Sequence, residues 1–131
     1  MENISNLELA LRNSWNRETS ADPKNWSEKN PSFGQCAVTA LVVQDYLGGD
    51  IVNSLVDLGN QKTESHYFNL INGQEVDLTR EQFPIGTHVP PGQPKTKDFK
   101  TTRDYVLSYE PTQKRYEILK DNVQKFLEDF T

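Results

Sequence analysis

The chain has 131 residues, enough for a single domain over 1–131 that buries about two-thirds of its unfolded surface without disulfides or metals. Nineteen acidic against fourteen basic side chains give a formal charge of -5; the basic residues are spread thinly from Lys95 onward, so no nucleic acid is expected as a partner. One cysteine cannot form an internal bridge. With no signal-like apolar stretch at the N-terminus and no run long enough to span a bilayer, the expectation is a cytoplasmic protein with no membrane partner.

Ser5 and Glu8 have capping-box spacing beside Leu7, Leu11 and Trp15, which recur every four residues and predict a docking helix. Thr19 to Phe33 carries Asp22-Pro23, Asn30-Pro31 and Ser32 and reads as an ordered loop whose Trp26 packs onto the body. Ser32 stands three residues before Gln35, and Gly48-Gly49 supplies a stop, which predicts a helix over about 33 to 47. Ala37, Val38, Ala40, Leu41, Val42, Val43, Tyr46 and Leu47 make that helix apolar nearly all round, hence central and buried.

Ile51, Val52, Leu55, Val56 and Leu58 fit a strand or a helical turn equally well. The next segment is decisive: SHYFNLI and QEVDLT flank Asn72-Gly73, the signal for a two-residue type I′ hairpin. That turn sets Ile71 opposite Gln74, Phe68 opposite Asp77 and His66 opposite Thr79. His66 and Asp77 become diagonal neighbours on one face, with Cβ atoms about 7 Å apart or less. Pro84 to Lys100 has four prolines and no apolar period and reads as a loop, with His88 exposed in it. Tyr105 to Leu107 suggests a further strand, and Tyr116, Leu119, Val123, Phe126 and Leu127 predict a final helix over Thr112 to Glu128.

The chemistry concentrates on three residues. Cys36 stands in the first turn of the long apolar helix, where unpaired amides and the positive end of the dipole favour a thiolate. His66 suits a general base and Asp77 its orienter. The backbone N–H of Cys36 can stabilise an oxyanion, with Gln35 or Gln82 as the possible second donor, and Trp26 and Tyr67 can wall a cleft. One cysteine and two histidines 22 residues apart match no compact zinc pattern, and Gly48-Gly49 lacks the spacing of a phosphate loop, so no cofactor or metal is expected.

The run GQCAVTALVVQDYLGGDIV, followed by SHYFNLINGQEVDLTREQF and a later RYEIL, closely resembles the YunG-like family of small bacterial proteins over roughly Trp15 to Val123. More distantly, a cysteine opening a helix, a histidine on a strand and an aspartate in Val-Asp-Leu-Thr on the next strand are similar to the transglutaminase-like branch of the papain-like superfamily. Leu78 stands where a proline often follows that aspartate, and the intervals are compact. The resemblance implies an α+β fold: a papain-like/transglutaminase-like core whose central helix carries Cys36 at its N-terminus and packs on a small antiparallel sheet. It also implies a cysteine-dependent hydrolase or acyltransferase with a Cys36-His66-Asp77 triad, acting on an amide, isopeptide or thioester bond of a peptide, protein or small amide substrate. The alternative is a noncatalytic protein- or peptide-binding domain that keeps the papain-like fold.

Overall fold

A helix that is apolar on every side is stable only when other elements surround it, and the run that follows Gln35 is surrounded. The computed structural model describes residues 4–129. In chain order these residues form α1 (Ile4–Ser14), α2 (Cys36–Leu47), β1 (Asp50–Gly59), β2 (Lys62–Ile71), β3 (Gln74–Val76), α3 (Thr102–Leu107) and α4 (Glu110–Asp129). Among the described residues the fold is therefore α+β, with four α-helices and one antiparallel sheet in the order β1-β2-β3. No helix among them is long and apolar enough to cross a membrane.

Helix α2 lies between α4 and the sheet, and α1 packs on α4. Leu41, Val42 and Val43 of α2 meet Leu11 of α1, Ile51 and Ile71 of the sheet, and Leu119 and Val123 of α4 in one core. Polar links fix its orientation. Trp15 Nε1 donates to Thr39 Oγ1 at 2.9 Å and Asn69 Nδ2 donates to the Ala40 carbonyl at 3.0 Å, both buried. Helix α1 already includes Ser5, so that residue is not a cap standing ahead of the helix. Helix α2 begins at Cys36 rather than near residue 33, because Gly34 adopts φ +73° and interrupts the helical path. At its other end Gly48 (φ +75°) is the C-cap, as the glycine pair predicts.

The stretch 50–59 is a strand. Its β-branched Ile51, Val52 and Val56 are buried, and β1 pairs with β2 from Asp50↔Leu70 to Gly59↔Lys62. The turn residues Asn72 and Gly73 both have positive φ, and Ile71 pairs with Gln74 as the type I′ register requires. The ladder then stops at Asn69↔Val76. Phe68 is not paired with Asp77, nor His66 with Thr79. Asp77 Oδ1 accepts the backbone N–H of Thr79 at 3.2 Å, an Asx turn that competes with the ladder and curls the chain into a 3₁₀ turn at Arg80–Gln82.

Residues 84–100 contain no helix or extended strand, but they are held: Asn53 and Gln93 exchange two backbone hydrogen bonds of 2.8 Å along the outer edge of β1. The expected strand at Tyr105 to Leu107 is instead helix α3. Thr101 caps it by accepting the N–H of Asp104 at 3.0 Å, so a local cap and an acidic first turn outweigh the β-propensity of Tyr105-Val106. The last helix starts at Glu110, slightly earlier than its periodicity suggests.

Candidate active site

The path into Cys36 is set by a closed loop. Ala21 N–H donates to the Gly34 carbonyl at 2.8 Å and Ser20 Oγ donates to the Phe33 carbonyl at 2.8 Å, so the two ends of the 20–34 segment are tied together. A Cβ on Gly34 would lie 2.3 Å from Ser20 Oγ, in a backbone conformation that side chains disfavour. Gly34→Ala is therefore expected to lower stability by about 2 kcal/mol or more, read as a loss in Tm by calorimetry. Gln35 follows, fully buried, with Nε2 donating to the Asn16 carbonyl at 3.0 Å. Cys36 is then the first residue of α2 and half-buried. No side chain caps this end, so no side-chain acceptor competes for the positive end of the helix dipole at Cys36.

His66 is completely buried in β2, with its ring edge-on to Phe83 at 4.9 Å and tilted against Phe68 at 5.5 Å. Its Nε2 lies 2.7 Å from Asp77 Oδ2. Arg80 Nε donates to that same carboxylate oxygen at 2.7 Å, while Thr79 N–H occupies Oδ1. Burial is the largest influence on Asp77 and raises its pKa, yet hydrogen bonds and charge from His66 and Arg80 outweigh it and hold the carboxyl below its ordinary value. Burial is likewise the largest influence on His66 and lowers its pKa. Hydrogen bonding and charge from Asp77 and Cys36 overcome it and raise the imidazole from 6.5 to about 9.

With Nε2 committed to Asp77, Nδ1 is the nitrogen left for the sulfur. Nδ1 is buried and meets no partner in direct hydrogen-bond geometry. The structure joins His66 and Asp77 directly, through a turn rather than the extended ladder that their spacing suggests, while Cys36 opens α2 and is among the groups that raise the imidazole pKa.

A family model described as YunG protein matches residues 3–128. The chain belongs to the YunG family. It is 44% identical over 91 residues to "Uncharacterized protein YunG" of Bacillus subtilis (strain 168), an alignment covering 66% of this chain and 71% of the relative. No solved structure matches the YunG-family chain.

The remaining sequence candidates of this YunG-family chain have other placements. Gln82 Nε2 donates to Thr79 Oγ1 at 3.1 Å and Gln35 Nε2 to Asn16, so both amides that were candidates for an oxyanion donor are engaged within the fold. Trp26 donates from Nε1 to the Pro31 carbonyl at 2.9 Å and stacks under the Arg17 guanidinium at 5.6 Å, packing inside its own loop. Tyr67, by contrast, lines a pocket of 360 Å³ together with Ala37, the residue after Cys36. His88 is exposed in the 84–100 segment. Among the described residues no group of three or more His, Cys, Asp and Glu side chains can hold a metal ion.

Sequence reasoning missed Arg80, Thr79 and Phe83. The spacing of Arg80 three residues after Asp77 is a usable signal once Asp77 is read as the start of a turn, whereas the Phe83 contact depends on tertiary packing. It also missed Glu64, two residues before His66 on β2. Burial raises the Glu64 pKa most strongly, His66 lowers it and Asp22 raises it, so an acidic flank borders the imidazole.

Proposed function

We propose that this YunG-family protein is a cysteine-dependent hydrolase or acyltransferase acting on an amide, isopeptide or thioester bond. The observation that carries this reading is the fully buried His66, oriented through Nε2 by Asp77 and raised to about 9 by Asp77 and Cys36 acting against burial. A histidine serving only to fill the core would need no ionised partner to orient it. The order of cysteine on a helix start, histidine on a strand and aspartate after the following strand, similar to the transglutaminase-like branch of the papain-like superfamily, supports the same reading.

Cys36 thiolate attacks the substrate carbonyl carbon, forming a C–S bond as the carbonyl π electrons move to oxygen. The N–H of Cys36, at the uncapped start of α2, would donate to that oxyanion. The oxyanion collapses, the bond to the leaving amine or thiol breaks, and imidazolium His66 gives that group its proton. Neutral His66 then removes a proton from water or an acceptor amine, which attacks the thioester. The C–S bond breaks, the acid or new amide departs, and the thiolate-imidazolium pair is restored. Asp77, clamped by Arg80 and Thr79, keeps the ring oriented throughout.

Intact-mass spectrometry after mixing with p-nitrophenyl acetate provides the direct test. An acetyl adduct on Cys36, absent in Cys36→Ser and slower to form in His66→Ala, is expected. Acylation no faster than that of free cysteine would overturn the reading.

A further inference from the structure

Four buried side-chain atoms among the described residues meet no hydrogen-bond partner: Ser32 Oγ, Gln35 Oε1, Ser54 Oγ and His66 Nδ1. The first two belong to the turn before α2, where the Gln35 N–H donates to the Ser32 carbonyl at 3.0 Å. The other two come from neighbouring strands. Ser54 of β1 is the direct partner of His66 in the β1–β2 ladder. Directly opposed side chains leave a sheet on the same face, with Cβ atoms about 4.5–5.5 Å apart.

That face carries Val52, Ser54 and Val56 of β1 and Phe68, His66 and Glu64 of β2, and it lies opposite the face that meets α2 through Asn69. Phe83 packs edge-on against the imidazole, and Gly92 closes over Val52 and Phe68. Ser54 and His66 are both buried. Ser54 thus sets a hydroxyl between two buried valines, where packing alone does not call for one: an unpartnered buried hydroxyl carries a cost that alanine or valine avoids. The charges around His66 come from other elements, namely Asp77 with Arg80 beyond it, Cys36 from α2, and Glu64 two residues earlier on β2. Between Val52 and Val56, β1 presents no charged group on this face. What it offers the imidazole is Ser54.

We propose that Ser54 is a positioning residue for His66, its hydroxyl and Nδ1 sharing one internal water that holds the ring through the nitrogen Asp77 does not engage. Two hydrogen bonds of about 2.8 Å joined at a water span about 5 Å, which matches the separation of opposed Cβ atoms. A hydroxyl and a water each donate or accept, so the bridge serves both protonation states. The imidazolium donates from Nδ1, and the neutral ring, its proton kept at Nε2 by Asp77, accepts there. The charged ring gains more, because a hydrogen bond from an ionised donor is the stronger one. As a contribution to catalysis the assignment rests on the proposed thiol chemistry; as a property of the histidine it does not.

NMR titration of His66, with exposed His88 as internal reference, tests the assignment in Cys36→Ala, where no thiol can contribute. In that background Ser54→Ala is expected to lower the His66 midpoint by at least about half a pH unit, a threefold loss in proton affinity, while Ser54→Thr keeps the hydroxyl and stays within about 0.2. Below the midpoint, the Nδ1 proton should show cross-relaxation with a long-lived water that Ser54→Ala abolishes. A midpoint unmoved by Ser54→Ala, an equal shift in Ser54→Thr, or an Nδ1 proton with no bound-water contact overturns the assignment. If the midpoint shifts as expected but p-nitrophenyl acetate fails to acylate the chain that retains Cys36, the cysteine chemistry fails and Ser54 keeps its place beside the imidazole.

Discussion

Replacing His66 with glutamine is expected to slow alkylation of Cys36 by iodoacetamide at pH 7 by about 10- to 100-fold. Glutamine keeps a hydrogen-bonding group near Asp77 but cannot carry the positive charge that the imidazole retains to about pH 9. In the proposed mechanism the sulfur then has only the start of α2 to favour its charged form. His66→Ala should show the same loss together with lower stability, because it empties a site packed between Phe68 and Phe83. Rates within about twofold of the wild type in both variants would remove His66 from the chemistry of the thiol.

The second large effect is on stability and its pH dependence. Asp77→Ala leaves the buried imidazolium without its counter-charge and removes the acceptor for Arg80 and Thr79, so a loss of about 3–5 kcal/mol is expected by chemical denaturation. The pH profile gives a sharper signature. His66 has a folded pKa above its unfolded value of 6.5, so between 6.5 and about 9 the native state binds more protons than the unfolded state. The stabilisation is complete below 6.5 and fades as pH rises through 9, a fall on the order of 3 kcal/mol. Asp77 has the opposite sign: its depressed folded pKa contributes stability above the ordinary carboxyl range that disappears as pH falls through the folded value. Stability should therefore be greatest between about pH 4 and 6.5 from this pair. In Asp77→Asn the decline above 6.5 should flatten. An equally steep decline in that variant would show that the pair does not set the profile.

Much of this architecture is visible in local patterns, and the reasons for the exceptions are specific. The apolar run after Gln35 forces a central helix whatever surrounds it, and Asn72-Gly73 fixes the hairpin register because few other residues tolerate two successive positive φ values. The meeting of His66 and Asp77 was legible, but its route was not. Asp77 has two options, continuing the ladder or closing an Asx turn on Thr79, and only the surrounding structure, with Arg80 on the same carboxylate, decides between them. Tyr105-Val106-Leu107 favours a strand in isolation, yet no strand edge receives it and the Thr101 cap makes it helical. The pocket that Tyr67 lines draws on four separate helices and strands, so no short window of sequence contains it.

The proline-rich stretch from 84 to 100 looks dispensable in a list of elements, but its placement makes it a guard against unwanted pairing. Strand β1 ends the sheet, and the outer N–H and C=O groups of an end strand are a template for another chain. Gln93 occupies that template at Asn53, and Gly92 sits so close to Val52 and Phe68 that a Cβ there would lie 2.3 Å from Val52 Cγ2. The covering segment cannot become a template in its turn, because Pro90, Pro91 and Pro94 flank the bridge and have no N–H to offer. At this point the sheet is closed to aggregation by a piece of chain that never becomes a strand.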